Sequence, residues 1–138
     1  MKKLNLFFVI LLSILISYCS SGSKITNPLI NDIWVLEFIK GVEFNPKSEG
    51  VQRPTIEIHL DDSTVVGNTG CNNINGRVIT EEDQITFSDM VTTKKFCPES
   101  IEQEFLIALG MVNNYKIEKM ELHLFQDDEE LLIFQKVD

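Results

Sequence analysis

An antiparallel α+β fold with one helix is predicted by three features of the sequence. Short runs of alternating apolar and polar residues recur every 8–12 residues or so, as in sheets built from hairpins. A single stretch, Ile101 to Val112, carries helical rather than strand periodicity. No strand–helix–strand signal of a parallel sheet and no internal repeat is present.

The elements follow in order. Trp34, Leu36 and Phe38 share one face at period two, which reads as the first strand, after Asn31-Asp32. Lys40 to Arg53, with Gly41, Pro46 and Gly50 among polar residues, is expected to be a mobile loop of about a dozen residues. Thr55 to Leu60 alternates again, with Ile56, Ile58 and Leu60 inward and Glu57 and His59 outward. Asp61-Asp62-Ser63 is a turn and Thr64 to Gly67 the returning strand. Asn68 to Asn73 is a tight polar loop. Strands are expected over Ile74 to Ile79 and Gln84 to Phe87, and Met90 to Phe96 reads as extended. Pro98 suits a first helical turn, and Ser100 with Gln103 matches a capping box. Ile101, Phe105, Ala108, Leu109 and Val112 form one apolar helical face, ended by Asn113-Asn114. Tyr115 to Lys119, Glu121 to Phe125 and Glu130 to Val137 close the chain as strands, with a hairpin turn at Gln126 to Glu129. The aromatic residues Trp34, Phe38, Phe87, Phe105, Phe125 and Phe134 are all placed on inward faces. Phe44 lies in the long loop, where it is a candidate partner contact.

The front of the chain reads differently. Lys2-Lys3 precedes an almost wholly apolar run, Leu4 to Ile16, that is too short for a membrane span of about 20 residues. This is the layout of a secretory signal peptide, residues 1–18. Cys19 follows, in Leu15-Ile16-Ser17-Tyr18-Cys19, a stretch that resembles a bacterial lipobox. The resemblance implies acylation of Cys19, and two or more acyl chains anchor a protein stably. Tyr18 departs from the pattern, which favours a small residue there. The alternative is cleavage near Ser21 to Ser23 with Cys19 incidental. Residues 19–30 read as a flexible tether and 31–138 as the domain.

Composition narrows the function. Twelve Lys+Arg against 21 Asp+Glu give the 138-residue chain a formal charge of −9, and loss of Lys2 and Lys3 with the leader makes it more acidic still. A nucleic-acid surface needs clustered basic residues, so nucleic acid is not an expected partner. The expected partners are a membrane, reached through the N-terminal lipid, and an envelope protein. The other two cysteines, Cys71 and Cys97, are expected to pair, since leftover thiols in exported proteins usually do. Closing such a loop stabilises by about 3 kcal/mol in the chain-entropy model. No zinc spacing exists between these cysteines and the two histidines, His59 and His123, and no metal or cofactor is expected.

Candidate chemistry is sparse. Gly67, Gly70, Asn72 and Asn73 mark a candidate binding loop, whose amides would suit an anion nest; the same residues serve equally to turn the chain beside a disulfide. His59 and His123 sit on outward strand faces without an evident partner for general base work. Asp127 to Glu130 and Asp61-Asp62 lack the alternating ligands of a calcium loop and read as solvated hairpin tips. Ser88 and Ser100 lack a nucleophile-elbow motif. Thr92-Thr93-Lys94-Lys95 is a small basic spot on a strand face. No catalytic residue is expected.

Several of these segments together resemble the META domain family, which includes the heat-shock protein HslJ. The resemblance rests on Gly67 to Gly76 with its Gly-Cys-Asn core, on Thr92 to Cys97, on Glu104, Phe105 and Leu109 of the helix, and on Trp34-Val35-Leu36. Leu122 to Phe125 and Leu131 to Phe134 match its closing hairpin. Arg77 after Gly76 and Lys95-Phe96 depart from the usual pattern. The resemblance implies a strongly bent antiparallel sheet of seven or eight short strands packed around one helix. It further implies a protein of the cell envelope, linked in some members to heat shock, drug tolerance or secretion, and it implies no reaction. The expected function is that of a non-enzymatic envelope lipoprotein in stress response or binding; the alternative is an inhibitor or accessory subunit of an exported enzyme or secretion complex, with the segment Lys40–Arg53 and the loop Gly67–Asn73 as its contacts.

Overall fold

The computed structural model describes residues 26–47 and 52–137. The leader 1–18, Cys19 and most of the tether lie outside the described residues, as do residues 48–51 of the long loop.

Among the described residues, eight antiparallel strands run in simple order: β1 (Ile33–Ile39), β2 (Thr55–His59), β3 (Thr64–Asn68), β4 (Asn73–Glu81), β5 (Gln84–Thr92), β6 (Asn114–Glu118), β7 (Glu121–Gln126) and β8 (Glu129–Lys136). One helix, α1 (Glu102–Met111), joins β5 to β6. Each strand pairs with its sequence neighbour, and β1 pairs with β8, so the curved sheet closes into a barrel. Closure leaves no long edge for another chain to pair with. The weakest seam is β5–β6, registered at Gln84↔Asn114 alone and flanked by Ile85 N–H to Asn113 O and Tyr115 N–H to Asp83 O. The helix bridges that seam in sequence.

Alternation places one face of each strand inside. Ile56 and Ile58 of β2, Val65 of β3, Ile74 and Val78 of β4, Ile85 and Phe87 of β5, and Leu122 and Leu124 of β7 are all buried. Each such aliphatic or aromatic side chain contributes roughly 1.5–3 kcal/mol on burial. The helix adds Phe105 and Leu109 to the same core, and the Phe105 ring meets Phe134 edge-on, centroids 6.2 Å apart.

Two aromatic placements differ from expectation: a β-bulge turns Phe38 outward, and plain alternation with the inward Leu122 and Leu124 leaves Phe125 on the outer face. In the β1–β8 ladder Leu36 faces Phe134 but Phe38 faces Ile133, so Glu37 is an extra residue. The bulge turns Phe38 outward, 42% exposed, and Ile39 inward, 1% exposed. In the β7–β8 ladder Leu124 faces Leu132 but Phe125 faces Glu130, so Leu131 is extra. Leu131 and Leu132 are consequently both buried. Phe125 lies on the outer face of β7 with His123, whose ring it stacks on. A third bulge, around Asp89 and Met90 opposite Gly76, lets β5 continue to Thr92, where the sequence suggested a separate extended segment.

The start of the helix also differs. Its N-cap is Ile101, with no side-chain cap bond, so the Ser100–Gln103 capping box does not form. Residues 97–100 instead make a turn, with Ser100 N–H bonded to Cys97 O, and helical geometry starts only at Glu102. Pro98 therefore precedes the helix.

Ahead of the expected boundary at residue 31, the chain is already built into the domain. Pro28–Ile30 forms a 3-10 turn whose N-cap, Asn27, accepts the Leu29 N–H through its side chain. Ile30 is fully buried, and its carbonyl accepts the indole N–H of Trp34 at 2.9 Å. The Tyr115 hydroxyl donates to Glu82 O at 3.0 Å and accepts from Asn27 N–H at 3.4 Å, tying this entry segment to the β4–β5 turn. Burial raises the Tyr115 pKa, so the phenol stays protonated as that donor.

Candidate functional site

The tight loop between β3 and β4 is shaped by what passes against it. A Cβ on Gly67 would lie 2.0 Å from Thr55 O, and one on Gly70 would lie 2.5 Å from Gln52 O. Gly70 also has a φ of +86°. Both glycines thus allow the chain at residues 52–55 to approach closely.

The loop's N–H groups are turned on itself. Gly70 N–H donates to Asn68 Oδ1 at 2.7 Å, while Cys71 and Asn72 N–H both reach Thr69 Oγ1. Amides spent in this way do not form an anion nest, so the structural role of the glycine–asparagine loop prevails over the anion-binding one. Asn73 has a similar part: its side chain accepts from Asn68 Nδ2 at 3.0 Å.

Asn72 is the hub. Its side chain is buried, 1% exposed, yet every polar atom is bonded. Oδ1 accepts from Lys95 N–H at 2.7 Å and from the Thr93 hydroxyl at 2.8 Å. Nδ2 donates to Lys95 O at 3.2 Å and to Glu102 Oε1 at 3.1 Å. The other Glu102 oxygen accepts from the Thr69 hydroxyl. Cys71 and Cys97 are joined in a disulfide, with Cα atoms 6.1 Å apart. The Asn72 bonds, the Glu102 carboxylate and the disulfide thus together fasten residues 93–102 to the β3–β4 loop. Sequence reasoning found the cysteine pair but missed Thr69 and Glu102, whose only signal was an acidic residue at the start of a helix.

The segments these ties hold together, Thr69-Gly70 and residues 97–101, form one wall of an open cleft of about 590 Å³. Glu43, Phe44, Asn45 and Gln52 from the long loop face Thr69, Gly70 and residues 97–101 across it. Phe44 is half-buried, packed against the core as well as lining the cleft. Ser100 lines the cleft too, whereas Ser88 and the two histidines do not.

The histidines are surface groups turned to carboxylates. His59 Nε2 lies 3.2 Å from Glu57 on the same strand face. His123 is held more tightly, with Nδ1 2.6 Å from Glu130 and Nε2 3.5 Å from Glu121, and its ring stacks on Phe125. The Glu130 contact crosses the bulged hairpin and was not visible from spacing. A second, polar cleft of about 490 Å³ at the β5–β6 seam is lined by Asp83, Gln84, Thr86, Asn113, Asn114, Asp127 and Asp128. Asp127 there is engaged by Asn113, whose side chain donates to it at 2.8 Å and accepts its N–H at 2.8 Å. Among the described residues no group of three or more His, Cys, Asp or Glu is arranged to hold a metal ion, and no helix is long and apolar enough to cross a membrane.

Comparison with known proteins gives a family and a fold. The family model described as the META domain matches residues 27–138. No curated protein matches the chain. Among solved structures, an NMR structure of a protein from Burkholderia xenovorans is similar over 88% of this chain and 97% of its own, at 19% identity and a TM-score of 0.64. A crystal structure of a DUF4847 family protein from Bacteroides vulgatus is similar over 80% of this chain and 96% of its own, at 16% identity and a TM-score of 0.57.

Proposed function

Given that this chain belongs to the META domain family, we propose that it is a non-enzymatic lipoprotein of the bacterial cell envelope that binds a partner through the cleft beside its disulfide. One observation carries the binding role. The two segments that sequence reasoning marked as contacts, the long loop and the β3–β4 loop, line the same cleft. The wall made by Thr69, Gly70 and residues 97–101 is held by the disulfide and by buried, fully bonded polar groups, so that side is preorganised for binding. Neither histidine lines the cleft, and its carboxylates, Glu43 and Glu99, are unaccompanied there by a basic group.

Anchoring rests on the sequence. Acylated Cys19 would hold the domain in the envelope on the tether, and the acidic surface keeps it off anionic headgroups. Such a tethered binder fits a role in envelope stress. The second reading is an inhibitor or accessory subunit of an exported enzyme or secretion complex. It is favoured by Glu43 and Asn45, which stand exposed beside Phe44 at the lip, where a partner's surface would meet them.

Photo-cross-linking in living cells tests the site. A cross-linking amino acid placed at position 44 or 99 of the full chain is expected to capture protein partners that the same group at Lys116, on β6, does not. A single stoichiometric adduct supports the inhibitor reading and a scatter of weak ones the stress role; equal capture from all three positions overturns the cleft. Cys19→Ala is expected to abolish labelling by radioactive palmitate and to release the protein from membranes. Persistent labelling removes the anchor from the proposal.

A further inference from the structure

The two sulfurs of the Cys71–Cys97 bond stand in unlike surroundings. Cys71 is buried, 6% exposed, and the Asn72 amide nitrogen lies 3.4 Å from its Sγ. Cys97 is half-exposed and lines the open cleft. Beside it stands Phe96, 90% exposed, the most exposed large apolar side chain among the described residues. Phe96 ends a segment, residues 93–96, that is wholly exposed and has neither helical nor strand structure. Nothing in the packing of the barrel requires an aromatic residue there.

From this asymmetry we infer that Phe96-Cys97 is the docking and attack site of a thioredoxin-type dithiol oxidoreductase, which reduces the bond through Cys97. An enzyme of that kind must bring its thiolate in line with one sulfur of the target, and only Cys97 offers an open approach. The exposed Phe96 ring supplies the apolar contact that positions it. In the first step the partner's thiolate bonds to Cys97 Sγ and the Cys71–Cys97 bond breaks. The electron pair leaves on Cys71 Sγ, which then takes a proton from water. In the second step the partner's other thiolate displaces Cys97, which is also protonated. The partner ends as a disulfide and this chain as two thiols, two electrons and two protons richer. The Asn72 bonds to Lys95 and Glu102 remain after reduction, so the site is held ready for reoxidation.

The inference does not depend on the cleft's having a binding partner, and its test reads sulfur chemistry alone. Thioredoxin whose second active-site cysteine is replaced by serine stops at the mixed disulfide. Mixed with the full chain and digested, it is expected to be linked to the Cys97 peptide, with Cys71 free to alkylate. Reduction by intact thioredoxin is expected to slow roughly tenfold or more in Phe96→Ser, as when an apolar anchor leaves an interface. Phe96→Leu is expected to retain most of the rate. Reduction by dithiothreitol, which needs no docking, is expected to be equal in all three proteins and reports any change in the disulfide itself. A mixed disulfide on Cys71, none at all, or a Phe96→Ser rate equal to the parent's overturns the inference.

Discussion

The side chain of Asn72 pairs with the backbone of Lys95 as a neighbouring strand would, accepting from its N–H at 2.7 Å and donating to its carbonyl at 3.2 Å. A buried amide in this position substitutes for a peptide group where the chain leaves β5 and regular pairing ends. Removing it strands several partners at once, including Lys95 N–H and a Glu102 carboxylate oxygen. Each orphaned buried group costs about 1–3 kcal/mol, less where water can enter. Asn72→Ala is therefore expected to destabilise by about 3 kcal/mol, read as a lower urea midpoint at unchanged slope. Asn72→Asp is expected to do no better, since it exchanges the donor for a second carboxylate facing Glu102. A loss below about 1 kcal/mol in either variant would show that the hub is not structural.

The bulge at Glu37 makes a sharper prediction, because neighbouring residues exchange roles. Ile39 is 1% exposed and Phe38 42% exposed. Ile39→Ala is expected to cost about 3 kcal/mol through the cavity it leaves. Phe38→Ala removes the larger side chain and is expected to cost under about 1 kcal/mol, since its ring already meets solvent. Chemical denaturation of the two variants checks this, and the reverse order would restore unbroken alternation through β1.

Where the sequence could be read and where it could not follows from the same residues. The helix face Phe105, Leu109 and Val112 was legible because a period of 3.6 needs no knowledge of the neighbours. Ile56, Ile58, Leu122 and Leu124 were legible for the like reason at period two. Glu37 and Leu131 were not, because a single inserted residue looks in sequence like any other member of the alternation. Barrel closure was also hidden: inward alternation is the same in an open bent sheet and a closed one, and only the β1–β8 register tells them apart. The cysteine pair could be inferred from the export that the leader predicts, but the Thr69–Asn72–Glu102 network joins residues about 30 apart and leaves no periodic trace.

The β6–β7 hairpin carries a removable strain. Lys119 and Met120 both adopt positive φ, 47° and 68°, between the paired Glu118 and Glu121. This suits a type I′ turn, which Asn-Gly forms with little steric cost and longer side chains do not. The bonds that depend on position 120 use its backbone carbonyl, which accepts from Lys136 N–H and Gln135 Nε2, and so survive substitution. The double variant Lys119→Asn, Met120→Gly is expected to be more stable by about 1 kcal/mol, part of the gain being offset by glycine's entropy in the unfolded chain. A thermal midpoint unchanged or lower would mean that the Met120 side chain contributes more than its 44% exposure suggests.

Acid should expose the last tie, between the two ends of the barrel wall. Asp32 pairs with Lys136 Nζ at 2.7 Å and accepts the Ile33 N–H at 2.8 Å. The lysine bond, foremost, and the Ile33 N–H hold its carboxyl below the ordinary value of 3.8, against the opposing effect of burial. A carboxylate depressed on folding binds its proton more readily in the unfolded chain, so stability falls as protons are added. The contribution is complete above the ordinary value and is lost as the pH drops through the lower, folded one. Both groups are partly exposed, 27% for Asp32 and 32% for Lys136, and solvent screening keeps the pair's worth to about 1 kcal/mol or less. Asp32→Asn is therefore expected to lower the urea midpoint slightly at neutral pH and to converge with the parent towards pH 2, roughly two units below the free-aspartate range. Asp62 and Glu118, also depressed but fully exposed, are common to both proteins and cancel in the difference. A gap between the two midpoints that stays constant from neutral pH to pH 2 would show that the Lys136 pair contributes nothing through its charge.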